Sequence, residues 1–381
     1  MSSIWGNNIK LSIFGEAQGE VIGGTLHDFP AGIPVNLDRI KMGLKLRQGT
    51  VNFTTVNRSE DRPVIVSGVT KGITNGAPIT VLFYNKIEEP VEQQGIILRP
   101  SHADYVASVR YRGFADMRDG GHFSSKFTLP IVFFGMLCAD YLSHMGIKVV
   151  SHIKSIGNIT DESFGVNISE DLIERLNSMT MPTISNEARK KMVSLLESIS
   201  ALGDSIGGAI ETAIVGLPAG YGSPCFDSLE SHLASLMFSI PGAKSIGFGY
   251  GNDFARARGS EVADSFFKNE EGKIETDNNY NGGLNRGVSN GMPVVMTTVF
   301  KPIPSIKQPM KGLDLITNEV VDLQVRRNHV VCFAPRGNVV ASSVASIVTL
   351  DAILEGNGYM NMPKVEIKKA STKDRKPDIE K

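Results

Sequence analysis

The sequence predicts an α+β fold in which sheets pack against helices, and three observations support this class. Short runs that alternate apolar and polar residues, as half-buried strands do, are interspersed with longer runs of helical character. The order strand, Pro-Ala-Gly turn, helix occurs twice. No linker divides the chain, so residues 1–363 form one predicted domain. Residues 364–381 are charged and poor in apolar residues, which predicts a disordered tail.

The predicted strands are short apolar or alternating runs that end at turn-forming residues. In chain order they are Ile9–Phe14, Val21–Leu26, Val64–Val69, Ile79–Tyr84, Ile147–His152, Ala209–Gly216 and Pro293–Phe300.

The predicted helices show helical spacing of apolar residues or continuous apolar runs. Asn36 stands where an N-cap is expected for the first of them. The third and fourth carry many charges, which is typical of amphipathic helices at the periphery. In chain order the helices are Leu37–Arg47, Thr128–His144, Asp171–Asn177, Asn186–Ser198, Asp227–Phe238 and Asn338–Leu354.

The two Pro-Ala-Gly turns suggest an internal pseudo-repeat. Pro30–Gly32 lies between the second predicted strand and the first predicted helix, and Pro218–Gly220 lies between a later strand and helix. The same order of elements around the same turn indicates two related halves. Two matches of three residues are weak support by themselves.

Composition excludes several classes of protein. The formal net charge is −1, from 39 Lys and Arg against 40 Asp and Glu, which argues against a nucleic-acid or membrane-surface binder. The three cysteines (Cys138, Cys225 and Cys332) lack the spacing of a zinc site and fit a reduced, cytoplasmic setting. The N-terminal MSSIWGNNIK shows no signal-peptide pattern. No apolar run is expected to reach the length of a membrane span.

The segment from Arg99 to Thr128 concentrates residues suited to an anionic ligand. It contains a Gly-Gly pair, a Ser-Ser pair and several basic side chains, and it opens onto the most apolar helical run. Glycines allow close backbone approach, and helix-start N–H groups favour negative charge. Arg118 and Lys126 add charged donors, while His102 and His122 can titrate near neutral pH. The alternative is a surface loop with solvated charges.

Many ordered segments of the chain resemble the chorismate synthase family, from Ile4 to about Leu354. The resemblance rests on FGEAQGE, FPAGIPV, RPSHADY, MRDGGHFSSK, GDSIGGAIE, GLPAGYGSPCFD, SIPGAK, ARGSE, NGGLNRGVSNGMP, FKPIPSI and NHVVCFAPR. It implies a β-α-β sandwich with internal pseudo-symmetry, a homotetramer and a reduced-FMN cofactor. The implied reaction is trans-1,4-elimination of phosphate from 5-enolpyruvylshikimate 3-phosphate to give chorismate. The partner is then a small anionic substrate.

The resemblance also assigns site residues. Arg47, Arg99 and Lys126 occupy positions like those of the family's substrate-binding basic residues, with Lys126 in place of an arginine. The positions that resemble flavin-contacting ones are Phe123, Ser124, Gly242, Arg286, Lys301, Ser305 and Asn328.

Several family acid–base positions differ in this chain. His102 and His329 keep histidines of the family pattern, but Gln18 stands where the family has histidine. Glutamine can donate a hydrogen bond but cannot transfer a proton at neutral pH. Asn328 and Val330 replace the arginine and aspartate of the family's R-H-D motif. These changes predict impaired activity and leave open a flavin-binding paralogue or a non-catalytic family member.

Arg286 replaces a flavin-adjacent glycine of the family, so its side chain could crowd a flavin or supply a new cation. Basic family residues are also missing near Asn52 and Asn57. We expect one pocket to form between three segments, namely the Arg99–Lys126 loop, Asn281–Gly291 and Lys301–Ser305, because each carries glycines or cations.

Five other polar residues are predicted to be structural. His27, His144, His152 and His232 are expected to be surface or satisfied core histidines. Asp351, on an apolar helix, is expected to be a buried carboxylate bonded to backbone.

Overall fold

The computed structural model describes residues 3–49, 61–85, 97–323 and 330–360. The strands in these ranges are β1 (Ile4–Trp5), β2 (Lys10–Gly15), β3 (Val21–His27), β4 (Val64–Ser67), β5 (Val69–Thr70), β6 (Ile73–Thr74), β7 (Ile79–Tyr84), β8 (Ile97–Leu98), β9 (Lys148–Ile156), β10 (Ile159–Thr160), β11 (Gly208–Val215), β12 (Ala243–Phe248), β13 (Phe266–Lys268), β14 (Ile274–Thr276), β15 (Leu284–Asn285), β16 (Val288–Ser289), β17 (Val294–Phe300), β18 (Met310–Asp314) and β19 (Val320–Leu323). The α-helices are α1 (Leu37–Gln48), α2 (Asp104–Arg110), α3 (Thr128–Ser143), α4 (Glu170–Ser178), α5 (Asn186–Ala201), α6 (Leu229–Met237) and α7 (Ala334–Met360). Short 3₁₀ segments lie at Arg118–Phe123, Ser125–Phe127 and Gly251–Arg256.

Two antiparallel five-stranded sheets enclose a layer of helices. The strand order is β1-β2-β3-β7-β4 in the first sheet and β10-β9-β11-β17-β12 in the second. Helix α3 packs on β3 of the first sheet, α7 packs on β9 and β11 of the second, and the two helices pack on each other. The α+β prediction is confirmed, and its layers form the β-α-β sandwich that the family resemblance implies.

The contact between α3 and α7 explains why these helices are so apolar. Phe133 and Phe134 of α3 are fully buried, and each such side chain contributes about 1.5–3 kcal/mol on burial. A Cβ on Gly135 would lie 2.2 Å from the Cβ of Ser343, so the helices approach most closely where α3 has no side chain. The hydroxyl of Ser343 donates to the carbonyl of Val339 at 2.7 Å, which satisfies this buried polar group within its own helix.

The pseudo-repeat is present in both topology and hydrogen bonding. Strands β2-β3-β7-β4 and β9-β11-β17-β12 occur in the same chain order and the same sheet order. In the turn Pro30–Gly32, the glycine N–H donates to the carbonyl of Thr74, whose hydroxyl donates to the proline carbonyl. In Pro218–Gly220, the corresponding bonds are made with Ser289. The Pro-Ala-Gly signal therefore marks equivalent turns.

The structure confirms most predicted elements and corrects others. The side chain of Asn36 accepts from the N–H of Arg39, as expected for an N-cap. The strand predicted at Val64–Val69 is two short strands separated by Gly68. The last helix begins at Ala334 instead of at residue 338, and the predicted tail lies outside the described residues.

The segment predicted as one polar loop, residues 99–128, contains helix α2 and two 3₁₀ segments. The expectation about membrane spans is also corrected. Arg118–Ser143 and Ala334–Gly356 are long and apolar enough by length and composition, but 61% and 78% of their apolar windows are buried inside the fold. Their apolar character is accounted for by the helical layer that they form between the sheets.

Two of the polar residues predicted to be structural lie in the core. Asp351 is fully buried and accepts from the backbone N–H groups of Asn8 at 2.7 Å and Ile9 at 2.8 Å. It thereby ties the N-terminal strands to α7, which confirms its predicted role. His152 is also fully buried, and both of its ring nitrogens face carboxylates. It is a satisfied core histidine, as predicted.

Candidate active site

The start of the Arg99–Thr128 segment folds around a buried carboxylate. Asp104, which is 3% exposed, accepts from the Arg99 side chain at 2.8 Å (Nε) and 2.7 Å (Nη2). The Nδ1 of His102 lies 2.9 Å from the same carboxylate. Burial alone would raise the pKa of Asp104, but the hydrogen bonds from Arg99 and His102 outweigh burial and hold that pKa well below its ordinary value. Asp104 is therefore ionised and fixes two predicted site residues.

A glycine turn follows directly beside this cluster. Asp119, Gly120 and Gly121 have φ angles of 50°, 85° and 49°, all in the left-handed region. A Cβ on Gly121 would lie 1.9 Å from the carbonyl oxygen of Asp116, so only glycine fits there. A Cβ on Gly120 would lie 3.7 Å from the Cε1 of His102. The turn therefore runs in contact with the imidazole of His102, and the positive φ angles of Gly120 and Gly121 are what favour glycine there.

The turn after β2 packs against the same segment. The amide of Gln18 donates to the carboxylate of Asp119. The ammonium of Lys126 donates to the carbonyl of Ala17 at 2.7 Å, and the Nε2 of His122 lies 3.3 Å from Glu16. Gln18 lies in the turn after β2, and Lys126 lies in the Arg99–Thr128 segment. The structure therefore brings these two predicted site residues into one site.

Arg47 contacts the end of the Arg99–Thr128 segment. Its side chain is 6% exposed, and its Nη2 donates to Asp61 at 2.7 Å. Its Nη1 lies 3.2 Å from the hydroxyl of Thr128, the first residue of α3. Arg336, in the first turn of α7, donates from Nε to the carbonyl of Arg47 at 3.3 Å. Arg47 therefore lies where the end of α1 meets the starts of α3 and α7.

Lys301 and Gly242 are both predicted flavin-contacting positions, and Lys301 links Gly242 to the Arg99–Thr128 segment. Its backbone N–H donates to the carbonyl of Gly242 at 2.9 Å, and its ammonium donates to the carbonyl of Ser101 at 2.7 Å. Ser305 lies further along the same segment and is half-buried. The expected meeting of the Arg99–Lys126 and Lys301–Ser305 segments is thus observed.

A cavity of about 1,270 Å³ opens beside this site. Phe123 and Ser124 line it, together with His122 and the start of the first sheet. Pro241 lines the opposite side, one residue before Gly242. Most of its lining side chains are apolar or aromatic, including Trp5, Phe14, Tyr111, Phe127 and Phe238.

The Arg286 hairpin lies elsewhere in the part of the chain that the structure describes. Gly287 accepts from the N–H of Leu229 and donates to Glu230, so the hairpin packs on the start of α6. Residues 281–291 do not line the 1,270 Å³ cavity. Of the three segments expected to form one pocket, only Arg99–Lys126 lines this cavity: Lys301 contacts that segment through Ser101, but neither residues 281–291 nor residues 301–305 are among the described lining residues.

Four predicted positions lie outside the described residues, and three residues of the site were not predicted. Asn328 and His329 lie outside the described residues, as do Asn52 and Asn57. Sequence reasoning missed Asp61 and Asp104, the carboxylates that hold Arg47 and Arg99, because neither has a distinctive motif role. It also assigned no role to Arg336, although NHVVCFAPR contains it.

Comparison with known proteins identifies the family. The model of the family described as chorismate synthase matches residues 9–354. Chorismate synthase of Thermococcus gammatolerans is 36% identical over 357 residues, covering 93% of this chain and 98% of the relative. That of Thermococcus kodakarensis is 35% identical over 360 residues, covering 94% and 99%.

A solved structure described as "Crystal Structure of Chorismate Synthase" superposes with a TM-score of 0.75 at 25% identity, covering 93% of this chain and 94% of that one. The fold and the sequence matches therefore agree over nearly the whole chain. This chain belongs to the chorismate synthase family, a family of lyases of the shikimate pathway.

Proposed function

We propose that this protein catalyses the elimination of phosphate from 5-enolpyruvylshikimate 3-phosphate to give chorismate, with reduced FMN as cofactor. The observation that carries the proposal is the Arg99–His102–Asp104 cluster beside the Asp119–Gly121 turn, in a chain that matches the family over residues 9–354. This arrangement places a charged donor and a titratable ring beside a glycine turn, as an anion-eliminating site requires.

The cations differ in how readily they can reach a substrate. The side chain of Arg99 is 29% exposed while it is held by Asp104, so it can bind a carboxylate or phosphate without moving. Lys126 is a point charge anchored on the turn after β2. Arg47 is nearly buried and paired with Asp61, so an anion must share or displace that carboxylate.

We propose that this cavity holds the flavin. Its volume of about 1,270 Å³ exceeds the usual range of small-molecule pockets, roughly 300–1,000 Å³, and its aromatic lining suits a planar ring system. Phe123 and Ser124, which line the cavity, would contact FMN, and Gly242, which follows the lining residue Pro241 and is bonded to the backbone of Lys301, would lie at its edge. When bound in its reduced form, FMN would supply electron density to the reacting ring.

Among the described residues, we assign proton transfer to His102, and His329 lies outside them. In the tautomer whose Nδ1–H is donated to Asp104, the Nε2 of His102 is the free acceptor for a substrate proton. Gln18 cannot transfer a proton and instead bonds to Asp119. We therefore propose that turnover is slower than that of family members with a histidine at this position.

We also propose that the protein is cytoplasmic and assembles as a homotetramer. All three cysteines are free thiols. Helix α2 carries exposed apolar side chains, namely Tyr105, Val106 and Val109, and Phe114 after it is 92% exposed. An exposed apolar patch of this kind is suited to contact between subunits.

The test is an anaerobic assay with reduced FMN and 5-enolpyruvylshikimate 3-phosphate, with chorismate measured by its absorbance. Chorismate formation supports the proposal. Flavin binding without turnover of this substrate would favour a paralogue acting on another anionic ring. Absence of both flavin binding and turnover would favour a non-catalytic family member.

A further inference from the structure

Two arginines, Arg47 and Arg336, meet at the junction of three helices, and one of them pairs with a carboxylate. Arg47 lies in the last turn of α1 and pairs with Asp61 at 2.7 Å. Arg336 lies in the first turn of α7 and contacts the backbone of Arg47 through its Nε, at 3.3 Å. The start of α3 supplies a third side through Thr128. The residues that meet here come from positions 47, 61, 128 and 336.

The bond from Arg336 acts on a helix end. The last carbonyl groups of a helix have no partner within it, and a cation there is favoured by the helix dipole. By donating to the carbonyl of Arg47, Arg336 fixes the backbone from which the Arg47 side chain projects. The orientation of the Arg47 guanidinium therefore depends on a residue that is remote in sequence.

The charges at this junction are not balanced. Burial, and then the charge of Arg47, lower the pKa of Arg336 to about 10, while Asp61 opposes this shift. Among the described residues, two guanidinium groups thus lie at this junction with one carboxylate, Asp61. The Nε of Arg47 is buried and makes no hydrogen bond to any described residue. An anion at this junction would relieve repulsion and satisfy a donor.

We propose that Arg336 is a positioning residue for Arg47, and that an anionic group of the substrate supplies the negative charge this pair lacks. The inference rests on the proposed function for the identity of the substrate. It goes beyond that function by assigning a role to a residue at the start of α7 and by predicting how ligand binding changes stability.

The experiment compares Arg336→Gln and Arg336→Lys with the wild type. Arg39→Gln serves as the matched control, because Arg39 lies at the other end of α1 and pairs with Asp140 at 2.7 Å. We expect Arg336→Gln to raise the KM for 5-enolpyruvylshikimate 3-phosphate about tenfold, as loss of a charged hydrogen bond does, with a smaller change in kcat. Arg336→Lys keeps the charge and should recover most of the loss.

Thermal unfolding separates this role from a purely structural one. Without ligand, Arg336→Gln should change the unfolding temperature little, because the lost hydrogen bond to the carbonyl of Arg47 and the relieved contact between like charges oppose each other. The stabilisation produced by substrate, or by inorganic phosphate as a probe, should be smaller than in the wild type.

Three results would overturn the inference. They are an unchanged KM in Arg336→Gln, an equal rise of KM in Arg39→Gln, or a lower unfolding temperature with an unchanged phosphate response. If the wild type forms no chorismate at all, the proposed function fails instead. The phosphate response of Arg336→Gln against the wild type then decides the inference by itself.

Discussion

Replacing His152 by glutamine tests the strongest buried electrostatic cluster in the described chain. His152, on β9, lies 2.9 Å from Asp161 through Nδ1 and 2.9 Å from Glu211 of β11 through Nε2. Lys154 approaches Glu211 at 3.9 Å. The cluster holds the segment that carries α4 against the outer face of the second sheet, where Phe164 packs on the imidazole. We expect the variant to fold but to be markedly less stable.

The size of the expected stability loss depends on the hydrogen-bond donors that Asp161 and Glu211 keep in the variant. Removing one partner of a buried ion pair costs about 3–5 kcal/mol. Asp161 still accepts from the N–H groups of Ile184 at 2.6 Å and Ser185 at 2.9 Å. Glu211 still accepts from the N–H of Phe164 at 2.7 Å. Because both carboxylates keep donors, we expect a loss near the lower end, about 3 kcal/mol in the free energy of unfolding.

The same cluster predicts how stability depends on pH. Burial lowers the pKa of His152, but the hydrogen bonds and charges of Asp161 and Glu211 outweigh burial and raise it above the ordinary value. A raised folded-state pKa stabilises fully below the unfolded value, about 6.5, and the contribution is lost as pH rises through the folded value. Above pH 6.5 the wild type should lose up to about 1.4 kcal/mol per pH unit from this residue.

Urea unfolding at several pH values between 6 and 9 measures both effects. His144→Gln is the control, because His144 is exposed at the end of α3. Glu211→Gln should cost less, about 1–2 kcal/mol, since Asp161 still pairs with the imidazole. A loss below about 1 kcal/mol in His152→Gln, or a wild-type stability that does not fall between pH 6.5 and 9, would refute the reasoning.

Three further changes test the site and the core. Lys301→Ala should weaken FMN binding in an absorbance titration, because a charged donor is lost, and an unchanged affinity would remove this segment from the flavin site. Gln18→His combined with Asn328→Arg and Val330→Asp should raise turnover in the anaerobic assay by restoring proton transfer and a fixed charge, and a wild type as fast as its relatives would contradict the reasoning. Asp351→Asn should lower the free energy of unfolding by about 1–3 kcal/mol in urea, since the negative charge and one of the two acceptor oxygens are replaced by an NH₂ group, and a neutral effect would show that this tie is dispensable.

Matched controls accompany these variants. Lys311→Ala removes a surface lysine paired with Asp322 and should leave FMN affinity unchanged. Gln18→His alone should restore less turnover than the triple variant, because residues that act as a unit are not additive.

The sequence by itself determined the elements and the family. Strand alternation, helical periodicity and an N-cap such as Asn36 depend on residues within a few positions of one another, so they can be read locally. The two Pro-Ala-Gly turns indicated the pseudo-repeat, and the structure shows them making the same hydrogen bonds. His102 and Lys126 were predicted together from the chemistry of one segment, whereas Gln18 was placed in the same site only through the family resemblance.

Tertiary structure alone decided which charges meet. Arg336 contacts Arg47 across 289 positions of sequence, and Gln18 meets Asp119 across 101. Such pairs depend on how the helices stack between the sheets, which no local spacing encodes. The same holds for the two carboxylates that face His152. Glu211 comes from the neighbouring strand β11, and Asp161 comes from the loop after β10. The sequence did not predict helix α2, whose first residue is the buried Asp104. The burial of Asp104 depends on the packed site and not on the seven residues of the helix.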